Sequence, residues 1–463
     1  MTAPRNNPEV SVRSSLIEDP IRPTLFRLAL PVLCEQVLVF CVGFFDTYLS
    51  GRIDSLATSS IGIAAYISWF AAIMFSLVGT GTTALVARHW GAGEFDAARK
   101  ITQQALILSV IVGAIGSMLI FFGITWIIPL LNVRETEADI IIRYLRIDSC
   151  GYIGTAISLV ACAALRGAGD TRTPMWVLGL VNILNMIFAP AFVFGIGPWP
   201  AMGLDGIVAG TVLARISGGI LILIVLTRGV GGLKLVPPWF RYERLDMERI
   251  LRIGIPAGID GSTMWIGHFM FLMIISRLSR GDMNSSLFAA HVVGIQIEAI
   301  TYLPASAWGQ ASAALIGQAL GARQIERARA IGHEAVRQCG VLAIFIAVLF
   351  FFAAQPIYDF MHTDPAVARA GVPAFRMLAF FQLPLVVGII YVFSLRGAGQ
   401  TRAPLWITVF CVMGIRLPVA YLLGLHWNGG LIGAWLGMCL DVLCRAVISS
   451  LYFRYGKWTQ ISI

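Results

Sequence analysis

Six carboxylates lie inside long apolar stretches of this sequence, where an ionised side chain is costly. On membrane-insertion scales an Asp at the centre of a spanning helix costs roughly 2.5–3.5 kcal/mol, so each one needs a partner, a water-filled cavity or a function. A carboxylate in a cavity can bind a proton or a hard cation and release it later, because burial disfavours its charged form and solvation favours it. The residues that could do this chemistry are Glu35, Asp46, Asp148, Asp260, Glu298 and Asp441.

The composition indicates what kind of chain positions these residues. Of 463 residues, 57% are hydrophobic and 13% are charged, whereas charged residues make up about 25% of soluble domains. We therefore predict a polytopic membrane protein with no room for a soluble catalytic domain. Charged, Gly and Pro clusters divide the apolar runs into twelve predicted spans, near residues 23–49, 56–86, 101–131, 138–165, 172–197, 204–227, 250–276, 286–319, 330–358, 367–395, 402–425 and 429–453.

The loop charges predict the orientation. Basic residues are concentrated on the side of the two termini, with Arg88, Arg99 and Lys100 after the second predicted span and more of them in the polar segment 228–249. Because Lys and Arg are retained in cytoplasmic loops, both termini are predicted to be cytoplasmic, in a plasma (inner) membrane. The same retention accounts for the net charge of +9 without a nucleic-acid partner.

The eight cysteines indicate neither a redox centre nor a metal site. They lie almost entirely in apolar stretches and show no CxxC or Cys/His spacing, so we interpret them as small buried hydrophobes. HExxH and phosphate-loop patterns are also absent from the sequence. We therefore predict no cofactor and no resident metal. The polar N-terminal segment has no signal-peptide pattern, so the first span is expected to direct insertion.

An internal repeat organises the twelve predicted spans. Residues 166–174 read RGAGDTRTP and residues 396–404 read RGAGQTRAP, and LVARHWGAGEFDAARK (85–100) matches LIGQALGARQIERARA (315–330) at the same shift of 230. FRLALP (26–31) and LRIGIP (251–256) form a third echo. Each repeat holds six spans, an even number, so the two copies share one orientation and are related by an axis along the membrane normal.

The repeat predicts an all-α fold with two pseudo-symmetric six-helix lobes. The polar stretch with Pro237-Pro238 is the natural joint between them. The predicted organisation is an N-terminal tail (1–22), an N-lobe (23–228), a cytoplasmic linker (229–249), a C-lobe (250–456) and a C-terminal tail (457–463). Two parallel bundles with a cleft between them are typical of transporters that alternate access by rocking.

Glu35 and Asp260 occupy equivalent places in the two repeats. Each lies four residues after a proline, Pro31 or Pro256, so they are predicted to be a pseudo-symmetric pair facing the cleft. There they could attract cationic compounds or carry protons. The alternative is that they lie near the cytoplasmic helix ends and snorkel or cap. The arginines of the RGAG turns are expected at lipid headgroups.

The C-lobe contains two further groups of polar residues. His291 and Glu298 share a helix face with Gly294, a polar stripe that we expect toward a cavity, and Gln296 lies beside it. Glu298 is a candidate for substrate or proton binding, whereas a lone histidine is more often structural. Asp441 and Arg445 are spaced i, i+4 and are predicted to form a structural ion pair.

The ordered set of motifs resembles the multidrug and toxic compound extrusion (MATE) family, and more closely its DinF-type branch. The resemblance covers about residues 23–458. It rests on LALPVLCEQVLVFCVGFFDTYLSG, GTGTTALVARHWGAGEFDAARK, the two RGAG turns, IEAITYLPASAWGQASAALIGQALGA and the final GAWLGMCLDVLCRAVISSLYFRYGKW. It implies a MATE/MOP-type fold and a secondary antiporter that exports organic, often cationic compounds in exchange for protons or sodium ions.

The resemblance also implies a cation site in the N-lobe. Asp46 follows Pro31 by fifteen residues, the spacing of the family's cation-binding aspartate, and Tyr144, Asn185 and Thr211 match the positions around it. The alternative is that Asp46 is solvated near the helix end. Pro31 is predicted to be the hinge at which the first helix bends, because a proline inside a membrane helix frees a backbone carbonyl.

One position departs from the family pattern. A second aspartate is expected four residues after Asn185, and this sequence has Ala189 there. Hard cations need several oxygen ligands, so the loss of one carboxylate favours protons over sodium as the coupling ion.

The leading hypothesis is therefore a drug or metabolite antiporter, monomeric in the lipid bilayer, that works by rocker-switch exchange on a small organic substrate. A flippase or exporter of a lipid-linked or specialised metabolite substrate is the alternative. An intramembrane enzyme would need a Ser/Lys, His/Asp or metal cluster, and a sensor would need an output domain. The sequence contains neither.

Overall fold

The structure is a computed structural model that describes residues 16–51, 55–131, 134–197, 199–235, 242–278 and 285–461. Within these ranges the regular elements are all helices. Ten single helices are long and apolar enough to cross a membrane, and two bent helix pairs complete a set of twelve. The sequence prediction of an all-α protein with twelve spans in two six-helix lobes is confirmed.

We number the spans 1 to 12 in chain order. In the N-lobe, spans 1 to 6 are Ile21–Gly51, Ser55–Ala92, Phe95–Ile127, the pair Glu135–Ser149 and Tyr152–Gly167, Arg172–Phe194 and Leu204–Thr227. In the C-lobe, spans 7 to 12 are Arg244–Leu278, Ser285–Gly321, Ile325–Phe352, the pair Pro365–Ala379 and Gln382–Gly397, Arg402–His426 and Gly430–Tyr455. A short helix, Ala354–Met361, follows span 9. The lobe boundary predicted at 229–249 stays a prediction, and residues 236–241 lie outside the described ranges.

Spans 4 and 10 are broken at equivalent points of the repeat. Their halves are bent by 51° and 57° at short breaks, where the sequence predicts one continuous helix. In span 10, Pro384 lies just after the break and has no N–H to donate to the carbonyl of Phe380. In span 4 the break contains Gly151, a residue that is costly inside a helix.

The two RGAG turns have the same backbone geometry. Gly169 and Gly399 adopt φ values of 94° and 85°, in the left-handed region where glycine is favoured. In each turn, the next residue donates its N–H to a carbonyl of the helix that has just ended, Asp170 to Leu165 and Gln400 to Leu395, both at 2.9 Å. This is the hydrogen-bond pattern of a helix C-cap. We call the end of the bundle that holds these turns the RGAG end.

Glycines bring the lobes into backbone contact at the RGAG end. A Cβ built on Gly91 of span 2 would collide with the backbone of Gln318 in span 8, and one on Gly321 would collide with the backbone of Arg88. Residues 88 and 91 lie 230 positions before residues 318 and 321, so the contact repeats itself across the pseudo-two-fold axis. Gln318 also donates from Nε2 to the carbonyl of Gly167 at 2.8 Å. The lobes are therefore closed against each other at this end.

Spans 1 and 7 each pack into the core of the opposite lobe. Leu25, Ala29 and Val32 of span 1 belong to one hydrophobic cluster with residues of spans 8, 9 and 10. Ile250 and Ile253 of span 7 belong to a cluster with residues of spans 2 to 6. The exchange couples each of these helices to both lobes, so a rearrangement of one lobe against the other must move or bend them.

The glycine contact gives a test of the closed RGAG end. Gly321→Ala should destabilise the protein by about 1–3 kcal/mol, because the added methyl overpacks a backbone contact. Gly123→Ala in span 3 is the control: its Cβ meets nothing within 4 Å, and alanine favours a helix by about 1 kcal/mol. The measurement is a denaturant titration of the detergent-solubilised protein. Equal stability of the two variants would contradict the contact.

Candidate functional site in the N-lobe

Asp46 lies in a polar group built from three spans. Its side chain is half-buried, and its Oδ1 atom is shielded from solvent with no hydrogen-bond partner among the described residues. Asp148 of span 4 and Arg215 of span 6 lie close enough for their charges to act on it, and Asp46 in turn acts on Tyr144 of span 4. A carboxylate oxygen without a partner is able to accept a proton or to bind a cation.

Asn185 and Thr211 lie in the same lobe and bind each other. Asn185 donates from Nδ2 to the hydroxyl of Thr211 at 2.8 Å, and Thr211 donates to the carbonyl of Ile207 at 3.0 Å. The Oδ1 atom of Asn185 is buried and has no partner. This pair therefore offers one free acceptor oxygen, while the Thr211 hydroxyl is already engaged.

Ala189, which stands where the family pattern has a second aspartate, is tightly packed. Ala189 is fully buried, in a cluster with Ile207 and the partly buried Phe45 and Tyr144. A Cβ on Gly210 of span 6 would lie 2.6 Å from the backbone nitrogen of Ala189. Spans 5 and 6 are thus in backbone contact here, and the structure places an apolar contact where the family pattern has a second carboxylate.

The sequence analysis missed an ion pair beside Asp46. Arg215 donates from Nη1 to Oδ1 of Asp148 at 2.6 Å, and the hydroxyl of Ser68 donates to Oδ2 of the same carboxylate at 2.7 Å. Asp148 is buried and accepts hydrogen bonds on both oxygens. Two signals pointed to Arg215: it follows Thr211 by one helical turn, and it lies 230 residues before Arg445, which was predicted to be paired.

Glu35 and Asp260 are each paired with the first arginine of an RGAG turn. Arg166 donates to Glu35 at 2.8 Å and Arg396 donates to Asp260 at 2.6 Å, and both carboxylates are buried. Arg166 also donates to Oε1 of Gln310 in span 8 at 3.0 Å, across the lobe interface. The expectation that these arginines contact lipid headgroups is wrong, because they compensate buried carboxylates instead. The predicted pseudo-symmetric placement of Glu35 and Asp260 is observed; their role in binding compounds or protons stays a prediction.

Pro31 lies just before one of these ion pairs. Span 1 is a continuous helix from Ile21 to Gly51, with Pro31 inside it and buried. The proline ring removes the hydrogen bond to the carbonyl of Arg27. Glu35, one turn later, forms an ion pair with Arg166. The missing backbone hydrogen bond at Pro31 is therefore followed, one turn on, by a residue that is anchored to span 4. This arrangement suits a hinge, which remains a prediction.

The C-lobe carries a corresponding charged group that is more completely paired. Asp441 is fully buried and binds Arg445 at 2.7 Å and also Arg416 at 2.6 Å. Arg416 is positioned by one of two π-helical segments in span 11, Phe410–Arg416 and Ala420–His426. Such wider turns are common at functional sites. Glu298 of span 8 is half-buried, with Arg416 as a charged neighbour.

The remaining C-lobe candidates do not converge on Glu298. His291 is buried, and its Nδ1 accepts a hydrogen bond from Nε1 of Trp435 at 3.1 Å. Gly294 faces the same indole, since a Cβ built there would collide with the ring. Gln296 is exposed. His291 thus has a packing partner, whereas Gln296 and Glu298 remain candidate substrate contacts. Among the described residues, three or more His, Cys, Asp or Glu side chains nowhere form a group that could hold a metal ion.

The Glu35–Arg166 pair can be tested by a double-mutant cycle. Arg166→Met should lower the free energy of unfolding by about 3–5 kcal/mol, because it leaves a buried charge uncompensated, and adding Glu35→Gln should recover most of the loss. The exposed pair Arg244–Glu248 is the control, and Arg244→Met should change stability by less than about 1 kcal/mol. Additive effects of the two changes at 35 and 166 would refute the pairing.

Comparison with known proteins agrees with this architecture. The MatE family model matches the chain twice, at residues 31–191 and 256–422, once in each lobe. A probable multidrug resistance protein NorM from Thermotoga maritima is 30% identical over 450 residues, which cover 96% of this chain and 94% of the relative.

Two solved structures share the fold. A MATE protein crystallised in complex with MaL6 superposes with a TM-score of 0.87 at 20% identity, over 95% of this chain and 97% of the other. A MOP superfamily transporter from Pyrococcus furiosus superposes with a TM-score of 0.89 at 19% identity, over 97% of this chain and 98% of the other. By the family match and the 30% identical relative, the chain belongs to the MATE family of multidrug and toxic compound extrusion proteins and is a membrane transporter, not an enzyme.

Proposed function

We propose that this protein is an antiporter that exports organic, cationic compounds in exchange for protons, with Asp46 as the proton-binding residue. The observation that carries the proposal is the partnerless, shielded Oδ1 of Asp46 in a lobe whose other described buried carboxylates, Glu35 and Asp148, are ion-paired. A carboxylate that must be neutralised when buried and charged when solvated can exchange one proton per conformational cycle. No cofactor is required for such an exchange.

The closed RGAG end fits one state of an alternating-access cycle. If this end faces the cytoplasm of a bacterial inner membrane, as the loop charges predict, the structure corresponds to the state closed toward the cytoplasm. Opening it requires that the Gly91 and Gly321 contacts and the Gln318–Gly167 hydrogen bond separate. Spans 1 and 7, each packed into the opposite lobe, would bend in that step, and Pro31 gives span 1 a weakened point at which to do so.

An aromatic surface between the lobes suits a flat cationic substrate. Trp265 of span 7 packs against Phe70 of span 2, with ring centroids 5.3 Å apart, and stacks on Phe269 at 5.9 Å; Tyr66 completes the group at 6.5 Å. The indole Nε1 of Trp265 is shielded and has no partner. Aromatic faces attract cations electrostatically, so this surface and the carboxylates of the lobes favour an organic cation over an anion.

The role of Asp46 is tested by Asp46→Asn in proteoliposomes loaded with ethidium. The amide cannot take up and release a proton, so efflux driven by a pH gradient should fall by about a hundredfold or more, as on removal of an essential proton-transfer group. The matched control is Asp139→Asn, an exposed carboxylate in span 4, which should transport like the unmodified protein. Unchanged efflux in Asp46→Asn would refute the assignment.

The same vesicles separate the alternative functions. Efflux should require a proton gradient and be indifferent to a sodium gradient. Efflux driven by sodium alone would replace the proton by sodium as the coupling ion, and the absence of efflux under every gradient would favour a lipid-linked substrate.

The aromatic surface is tested by Trp265→Ala. Loss of a cation–π contact of about 0.5–2 kcal/mol should raise the half-saturating ethidium concentration by about two- to thirty-fold, and Trp265→Phe should lie between. Trp126→Ala is the control, because Trp126 is exposed on span 3. A half-saturating concentration that is equal for Trp265→Ala and Trp126→Ala would place the substrate elsewhere.

A further inference from the structure

The N-lobe site combines features that attract a cation with one that repels it. Asp46 and Asn185 present two shielded oxygen atoms without partners, which are ligands that a hard cation would use. Phe45, the neighbour of Asp46, and Tyr144, one helical turn before Asp148, pack against the same hydrophobic cluster, so the guanidinium that Asp148 binds lies in the same region of the lobe as Asp46. The alkali-cation site that the family resemblance implies is therefore only partly present, and a fixed positive charge lies beside what remains.

Asp148 fixes the position of that charge. Its two oxygens accept hydrogen bonds from Arg215 and Ser68, at 2.6 and 2.7 Å, and it is buried. This buried ion pair, with the second hydrogen bond from Ser68, keeps the guanidinium in the lobe. The guanidinium has five N–H donors, and its hydrogen bond from Nη1 to Asp148 uses one of them. Arg215 can therefore remain bound to Asp148 and still face a second carboxylate.

We propose that Arg215 is the residue that determines coupling-ion specificity: it acts as a tethered cation beside Asp46, so that the site takes up a proton and rejects sodium. This inference rests on the proposed function. The alanine at position 189 removes one possible sodium ligand, whereas the guanidinium of Arg215 would repel sodium directly. Asp148 is a positioning residue that holds Arg215.

The charge balance of the group explains the specificity. Among the described residues, Asp148 and Tyr144 of span 4 and Arg215 of span 6 are ionisable neighbours of Asp46. With Asp46 ionised and Tyr144 neutral, the group carries a net charge of −1, and one proton on Asp46 neutralises it. A sodium ion would give the same net charge, but it would have to lie next to the guanidinium without a second free carboxylate. At short range in a protein interior, repulsion between two like charges amounts to several kcal/mol.

The test is removal of the ion pair as a unit. Arg215→Met/Asp148→Asn deletes both charges and leaves none uncompensated, which preserves folding better than either single change. The variant keeps the oxygen atoms of Asp46 and Asn185, adds an amide oxygen at position 148 and removes the fixed cation. The control is Arg329→Met/Glu326→Gln, which deletes an ion pair with an exposed acid in span 9.

Two readouts are needed. The first is binding of sodium itself, as the shift in thermal unfolding of the detergent-solubilised protein between sodium chloride and choline chloride. The second is ethidium efflux from proteoliposomes under a pH gradient or a sodium gradient. The unmodified protein and the control should show no sodium-specific shift and should respond to the pH gradient alone. The double variant should bind sodium at least about tenfold more tightly and respond to the sodium gradient.

Each outcome decides a stated point. A double variant that folds and stays as indifferent to sodium as the unmodified protein overturns the role of Arg215, and so does sodium binding by the unmodified protein; neither result affects antiport by protons. If the unmodified protein shows no efflux under a pH gradient, the proposed function fails. The role of Arg215 is then still tested by the sodium-dependent shift in thermal unfolding. If the double variant does not fold, Arg215→Lys decides: a retained positive charge should preserve indifference to sodium, and sodium binding by that variant would overturn the inference.

Discussion

The cost of an unpaired charge in hydrocarbon governs the interior of this protein. Glu35, Asp148, Asp260 and Asp441 are all buried, and each is bound by at least one arginine from another span. Removing one partner of such a pair is far more costly than removing both. These pairs therefore tie spans together: span 1 to span 4, span 4 to span 6, span 7 to span 10, and span 11 to span 12. Among the described residues, Asp46 and Glu298 have no such ion pair, which leaves these two of the six carboxylates chemically available.

The repeat distributes these pairs symmetrically at the RGAG end and asymmetrically in the lobes. Glu35–Arg166 and Asp260–Arg396 occupy equivalent positions, and the Gly91 and Gly321 contacts are related in the same way. Within the lobes, the position of Thr211 in the N-lobe corresponds to that of Asp441 in the C-lobe, while Arg215 corresponds to Arg445. Closure is thus a property of both repeats, whereas the polar centres have diverged.

The sequence predicted the architecture well because the relevant signals are local and periodic. Twelve apolar segments, the two RGAG turns and the common shift of 230 residues define spans, orientation of the repeats and the equivalence of Glu35 with Asp260. The breaks in spans 4 and 10 were missed because a single Gly or Pro inside a membrane helix is tolerated in many contexts. Bends of this kind are decided by tertiary packing.

The pairing of charges could not be predicted in the same way. Asp441 and Arg445 are one helical turn apart, so their ion pair was predicted, but Arg416 joins them from another span, 25 residues away in the sequence. Arg215 and Asp148 are 67 residues apart. Arg166 and Arg396 were predicted to lie at the membrane surface because each is next to a glycine turn that ends a span. Contacts between spans leave no periodic trace in a single sequence.

The difference between the lobes indicates where a proton can act. In the C-lobe, Asp441 binds two guanidinium groups, those of Arg416 and Arg445. Glu298 also lies near Arg416, so the acids and bases of this group are equal in number. In the N-lobe they are not: one guanidinium, that of Arg215, lies near two carboxylates, Asp148 and Asp46. Two acids and one base leave one negative charge to be neutralised when the lobe closes around it. A proton supplies the compensating positive charge and needs almost no space. The backbone contact between Ala189 and Gly210 leaves no space there for a further ligand.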